Sequence, residues 1–251
     1  MATVSDIYRY PVKGLSAEAL SRVALAPGET IPFDRAWAIE NGPSGFDPRD
    51  PKTLPKICFL MLMRNERLAE LATSFDEGTS ALTIRKDGAV VAEGRLDTED
   101  GRRALEAFFR AFSADDLRGE PRVLAAPGHS FSDTAARVVS LINLETVRAL
   151  GVALGAEVHP LRFRGNLYAK NMPAWSEFDW VGKRIKIGAV DFTATKRIDR
   201  CAATNVNPLT AERDMTIPKN LLQIFGHADC GVYLRVETAG TLQTGDAISV
   251  A

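Results

Sequence analysis

The sequence has little of what most often identifies a chain. Cysteine and histidine occur three times each in 251 residues. The cysteines, Cys58, Cys201 and Cys230, are widely spaced. An odd, dispersed set does not make a disulfide framework, and no CxxC or paired Cys/His spacing offers a zinc or iron–sulfur site. Such usage fits a reducing, cytoplasmic setting. Neither sign of charge dominates: 31 Lys and Arg stand against 32 Asp and Glu, a net −1. That excess is too small to attract nucleic acid or to keep the chain unfolded. The longest apolar run, residues 57–63, is far too short to span a bilayer, and residues 1–14 lack the apolar core of a signal peptide. Neither a nucleic-acid nor a membrane partner is expected. Gly-x-Gly-x-x-Gly, the P-loop pattern and the Gly-x-Ser-x-Gly elbow are all missing, which removes the motif support for dinucleotide, nucleotide and serine-hydrolase chemistry.

What is present is a series of short apolar runs broken by Gly, Pro and Asp. Residues 4–10, 23–25, 36–39, 57–63, 123–126, 137–142, 158–163, 232–236 and 247–250 read as strands. Lys86-Asp87-Gly88 predicts a hairpin between residues 81–85 and 89–93, and Gly188 a second between 180–187 and 189–195. Helices are expected over residues 64–74, after Thr98, after Asn143 and over 217–225. The helix after Thr98 carries Leu105, Phe108, Phe109 and Phe112 at helical spacing, and the last has Pro218 in its first turn. Residues 41–54 form a long polar loop, and 115–121 a candidate boundary. Many strands with few helices predict a mainly β (α+β) protein, a β-barrel with peripheral helices, rather than a doubly wound sheet.

Several residues could carry chemistry. Cys201 follows Lys196, Arg197 and Arg200, and nearby positive charge favours the thiolate that ligates metals. A buried, inert thiol is the competing interpretation. Lys13 sits between Pro11-Val12 and Gly14, a frame that ends a strand and lets backbone approach a ligand. Arg35 and Arg164 fall at strand ends, where a guanidinium can grip phosphate or planar oxygens, or make an ordinary surface ion pair. Asn143 opens a helix, where it can cap or favour an anion. Cys201 paired with a distant histidine would make a thiol enzyme.

In chain order these segments resemble the MOSC-domain family, including the amidoxime-reducing components. Tyr10-Pro11-Val12-Lys13-Gly14 resembles its YPVKS opening, and Asp34-Arg35-Ala36-Trp37 its DRxW segment. Ser140 to Asn143 resembles a Ser-rich strand-to-helix entry, and Phe163-Arg164-Gly165-Asn166 resembles FRPN. Arg200-Cys201, followed by Thr204, Asn207 and Pro208, resembles RCxxTxVDP. Departures are Gly14 for serine, Asn143 for serine, Gly165 for proline and Asn207 for aspartate. The resemblance implies a MOSC-type barrel with an N-terminal β-rich region over residues 1–118 and a MOSC domain over 119–251. It implies a molybdenum cofactor, a molybdopterin whose metal is held by the pterin dithiolene and by Cys201. Lys13, Arg35 and Arg164 would pair with its phosphate and pterin. Gly14, Ser140, Asn143 and Asn166 would complete the contacts.

The function implied is an oxidoreductase acting on N-hydroxylated or N-oxide small molecules. Its electrons are expected from a separate electron-transfer protein, since no cluster-binding domain follows residue 251. The alternative is a carrier of the cofactor, or of sulfur on Cys201. Residues 41–54 and 171–180 are expected at the mouth of the site, with Trp175, Phe178 and Trp180 as an apolar wall.

Overall fold

A computed structural model describes residues 1–250. The N-terminal half contains β1 (Thr3–Arg9), β2 (Glu18–Leu20), β3 (Arg22–Leu25), β4 (Trp37–Asn41), β5 (Leu71–Asp76), β6 (Ala81–Lys86), β7 (Ala89–Arg95), α1 (Glu99–Phe112) and β8 (Pro121–Ala125). The C-terminal half contains β9 (Val139–Asn143), α2 (Leu144–Leu154), β10 (Leu167–Lys170), β11 (Arg184–Ile187), β12 (Val190–Asp199), α3 (Ile217–Phe225), β13 (Asp229–Val236), β14 (Gly240–Gln243) and β15 (Ile248–Val250).

The main sheet is mixed and eight-stranded, ordered β15-β11-β12-β13-β9-β10-β1-β2. Only β9 and β10 run parallel within it. Its first and last members come from the N-terminal and C-terminal ends of the chain. Val4 N donates to Asp246 O at 2.9 Å and Ile248 N to Ala2 O at 2.9 Å, so the sheet curls until its ends meet. Those bonds do not extend into a ladder, and no closed barrel forms among the described residues. The closing strand β15 has only three residues, too short to sustain one. Leu141, Leu167, Phe192, Val232 and Leu234 pack inside the curl and are fully buried. A second core joins β4 and β8 to α1 and to the small sheet β5-β6-β7, through Ile39, Leu60, Leu105 and Phe109.

Local signals placed several elements correctly. Thr98 caps α1 by accepting from Gly101 N at 3.2 Å, and Asn143 caps α2 by accepting from Glu145 N at 3.0 Å. Asp87 and Gly88 both take positive φ in the β6–β7 turn. Other expectations fail for identifiable reasons. Residues 64–74 are not a helix: a 3-10 turn at Glu66–Glu70 runs into β5, where Leu71 and Phe75 face inward across from β6. The apolar run 57–63 is not a strand: a 3-10 turn, Lys56–Cys58, leads to a single bridge from Phe59 to Glu40 and then to a turn at 62–64. Residues 158–163 end in a 3-10 turn, Pro160–Phe163, because Pro160 has no ladder N–H to give.

Candidate functional site

The loops that follow β1 and precede β4, β9 and β10 converge with the end of β12 on one cavity of about 320 Å³. Lys13, Gly14, Arg35, Ser140, Arg164, Asn166 and Cys201 all line it. Asn143 does not. It is fully buried behind the wall, where its Nδ2 donates to Pro173 O and to Glu177 Oε2, both at 2.8 Å. Its amide is spent supporting a buried carboxylate and has no reach to a ligand.

The cationic corner is built on unusual backbone. Arg35 and Arg164 both sit in the left-handed region, at φ 53° and 50°. Non-glycine residues adopt it at a cost and concentrate at functional sites. Both guanidiniums lie over the ring of Tyr10, at 4.6 and 4.3 Å from its centroid. Arg35 Nη2 donates to Arg164 O at 2.9 Å, and Arg164 Nη1 to Leu15 O at 2.8 Å. Burial, together with Arg35 nearby, pushes the Arg164 guanidinium down to about 10, although Tyr10 and Asp34 oppose the shift. Gly14 takes φ 87°, and a Cβ there would lie 2.8 Å from Leu60 O, so the family's serine does not fit this backbone. Gly165 is required by contact: an added Cβ would lie 2.3 Å from Ile142 Cγ1.

Lys13 is buried and donates to Phe131 O at 2.7 Å and to the Asp133 carboxylate. Burial pushes its ammonium below the ordinary lysine range, and Asp133 only partly restores it. Burial also opposes charge on Asp133, but Lys13, Lys56 and Arg35 outweigh it and hold the carboxyl below its usual range. Cys201 is half-buried at the start of a 3-10 turn, Ala202–Asn205, with extended backbone. Lys56 stands beside it. Burial works against the Lys56 charge, but the Cys201 sulfur and Asp133 raise its pKa above the ordinary value.

Seven cationic side chains line the cavity against three carboxylates, Asp34, Asp133 and Asp199. Asp34 is taken by Arg35, and Asp133 by Lys13 with Lys56. Among the described residues Arg164, Lys196 and Arg200 have no carboxylate within 4.0 Å. Arg200 is held instead by carbonyls, donating to Phe163 O and Cys230 O at 2.8 Å. Arg197 turns away and stacks on Phe178 at 4.4 Å, so only two of the three basic groups before Cys201 reach the cavity. Ser140 and Asn166 face it but bond each other, Ser140 Oγ to Asn166 Oδ1 at 2.8 Å, locking β9 to the entry of β10.

Lys56, Asp133 and Arg162 escaped the sequence reading. Arg162 carried a signal, since it alternates with Arg164 about Phe163. It is 3% exposed, forks onto Asp214 at 2.6 and 2.7 Å, and leaves Nε without a partner. Lys56 opens a short 3-10 turn, Lys56–Cys58, and Asp133 lies in a loop, neither with a local pattern. Residues 41–54 do not line the cavity, nor do Trp175, Phe178 and Trp180. Phe178 and Trp180 are buried in the sheet core, with Trp175 packed against it. No histidine lines the cavity among the described residues, so Cys201 has no imidazole beside it for a thiol-enzyme pair.

Fold and site together define a β-rich protein with a thiol and a cationic corner facing one cavity. Residues 126–249 match the MOSC domain, and residues 1–120 the MOSC N-terminal beta barrel domain. The chain belongs to the MOSC family. It is 24% identical over 264 residues to a molybdenum cofactor sulfurase of Caenorhabditis elegans, an alignment covering 98% of this chain and 36% of the relative. A molybdenum cofactor sulfurase of Caenorhabditis briggsae is also 24% identical, with 99% and 36% covered. The chain thus spans little more than a third of the curated relatives it matches. Among solved structures, the YuaD protein of Bacillus subtilis is similar over 100% of this chain and 96% of its own, with 14% identity and a TM-score of 0.46.

Proposed function

We propose that this chain binds a molybdenum–molybdopterin cofactor in the Cys201 cavity and acts as a reductase of N-hydroxylated or N-oxide small molecules. The observation that carries the reading is one cavity that unites a soft thiol with an uncompensated cluster of cations. The donor set fits the group. A thiolate suits a redox-active transition metal, and a phosphate-bearing pterin needs converging N–H donors. Among the described residues no three His, Cys, Asp or Glu side chains gather into a metal site. A metal here would therefore draw its remaining ligands from the cofactor.

Cys201 would ligate the metal. Lys13, Arg35 and Arg164 would hold the anionic end, with Gly14 on the cavity wall beside Lys13. Tyr10 keeps the two guanidiniums in place from below, and the Ser140–Asn166 pair fixes the wall between them and the sulfur. Lys56, beside the sulfur, offers a positive charge to an anionic or developing oxygen. When bound, the cofactor supplies the two-electron chemistry that, with two protons, removes the oxygen of an N–O group as water. We assign electron delivery to a separate redox protein, because the three cysteines lack the spacing for an iron–sulfur cluster. The names of the curated relatives favour a second reading, in which the domain carries cofactor or sulfur for delivery elsewhere.

The test is metal analysis of protein made in a cofactor-competent host, followed by hydroxylamine-type reduction with an artificial electron donor. Stoichiometric molybdenum lost in Cys201→Ala supports cofactor binding, and turnover supports the reductase. Protein with intact Cys201 and no molybdenum refutes both. Bound cofactor that passes rapidly to an apo-enzyme, without turnover, selects the carrier.

A further inference from the structure

The segment joining β8 to β9 lines the cavity with Ser132, Asp133 and Thr134, and touches its cations through Asp133. Phe131 anchors its start: it is buried against Phe46 and Phe59, and its N–H donates to Arg35 O at 2.7 Å. Buried Val138 anchors its end. Between them, the backbone of residues 132–137 is irregular, bent at 133–136. Among the described residues its amides make a single hydrogen bond, Ala136 N to the Thr134 hydroxyl within the segment itself. Arg137 stays on the outside with Glu29. Ser132 and Thr134 also line the cavity, but Asp133 is the residue that meets its cations: it pairs with Lys13 and lies toward Lys56, whose Nζ is 3.8 Å from Oδ2.

The position of that carboxylate matters. Lys13 is the buried cation of the corner, and Lys56 is the cation beside Cys201. Asp133 bridges them, so it occupies the space any guest spanning the corner and the sulfur must enter. Lys13 also donates to Phe131 O, which belongs to the anchored part of the segment. Withdrawal of Asp133 would leave Lys13 held in place and bare. Six residues with no backbone bonds to the body can move at little cost. The tie is an ion pair, which another anion can replace like for like.

We propose that residues 132–137 form a displaceable strap whose Asp133 carboxylate holds Lys13 and Lys56 as an internal anion until an anionic ligand takes its place. The proposal rests on the cavity being an anion site, and it adds a loading step controlled by one carboxylate. Its test uses the full chain from a host unable to make the cofactor, titrated calorimetrically with inorganic pyrophosphate. Asp133→Asn removes the competitor and should bind pyrophosphate at least tenfold more tightly than the unaltered protein. Removing any negative charge from the cavity tightens anion binding somewhat, so Asp199→Asn is the control. It lines the same cavity with no Lys13 contact and should gain threefold or less. In a Lys13→Gln background the advantage of Asp133→Asn should shrink to that of Asp199→Asn. Equal gains for the two single variants, or weaker binding by Asp133→Asn, would overturn the strap. No pyrophosphate binding by any variant would also overturn it. In that case molybdenum in the cofactor-loaded, unaltered protein decides separately whether the cofactor reading survives.

Discussion

Arg164 is where stability and binding should separate. Its guanidinium carries a charge that burial disfavours, and its pKa falls from 12.5 to about 10. Each tenfold step is about 1.4 kcal/mol, so keeping the charge costs the folded state up to about 3 kcal/mol, less where cavity water reaches the group. Two contacts offset this. The bond to Leu15 O contributes about 1.5–3 kcal/mol as a charged donor, and stacking on the enclosed Tyr10 ring about 2 kcal/mol. The contacts exceed that cost by roughly 0.5–2 kcal/mol. Arg164→Met keeps the length and apolar stem of the side chain, so cofactor-free protein should lose no more than about 2 kcal/mol in urea unfolding. The same change removes a charged donor from the proposed phosphate grip. The loss of about 1.5–3 kcal/mol there means roughly 10–150-fold weaker cofactor retention. Retention is read as molybdenum per protein after gel filtration of material from a cofactor-competent host. A fall in unfolding free energy beyond about 3 kcal/mol would make Arg164 a structural residue. Retention equal to the unaltered protein would remove it from the site.

Cys201→Ser should abolish molybdenum retention while shifting unfolding by under about 1 kcal/mol, because the thiol is half-buried and packs little apolar surface; metal analysis and a denaturation curve on the same sample check both halves. Gly14→Ala should cost more than about 2 kcal/mol, since the left-handed backbone and the Leu60 carbonyl at 2.8 Å both resist a methyl group, and a melt within 2 °C of the unaltered protein would contradict the close approach. Arg122→Ala should cost about 2 kcal/mol at pH 7, because Arg122 is the charge partner of fully buried Glu40. Burial opposes the Glu40 charge, but Arg122 and Ser44 outweigh it and lower its pKa. The Glu40 contribution is therefore complete above the unfolded carboxylate pKa of about 4.3 and disappears as pH falls through the depressed folded value. Urea unfolding of both proteins should show the gap narrowing below about pH 4, and a gap that widens there would reverse the assignment.

The sequence disclosed those parts of the fold that local chemistry determines. Thr98, Asn143 and the Asp87-Gly88 pair act on their own neighbours, and each marks an element where it was expected. Residues 64–74 did not, because Leu71 and Phe75 are set by pairing with β6, ten residues on, rather than by helical spacing. The same division runs through the site. Lys13, Arg35, Arg164 and Cys201 sit in motifs that mark strand ends, and the structure brings all four to one cavity. Lys56 and Asp133 are placed by tertiary contacts alone, Asp133 through a loop anchored at Phe131. Asn143 sits in the same strand-to-helix motif as Ser140, yet three residues further along β9 its side chain points to the opposite face. Its strand continues past the cavity wall, and the amide meets Glu177 instead of solvent.

The corner also shows where folding free energy has been given up. Two arginines hold a left-handed backbone, three cations go without carboxylates, and Lys13 is charged in a buried place. None of these choices helps a chain fold, and each costs on the order of 1 kcal/mol or more. The compensation is local and layered: Tyr10 under both guanidiniums, Tyr168 OH receiving Gly165 N at 3.0 Å, and carbonyls around Arg200. Contributors come from both matched regions, with Lys13, Arg35 and Lys56 from the first and Asp133, Arg164 and Cys201 from the second. An anion bound at that seam would relieve repulsion on both sides at once. Binding should therefore raise the stability of the whole chain, by RT ln(1 + [L]/Kd), in one cooperative transition. Two separate melts, only one of them shifted by ligand, would mean that the cations of the two regions do not share a guest.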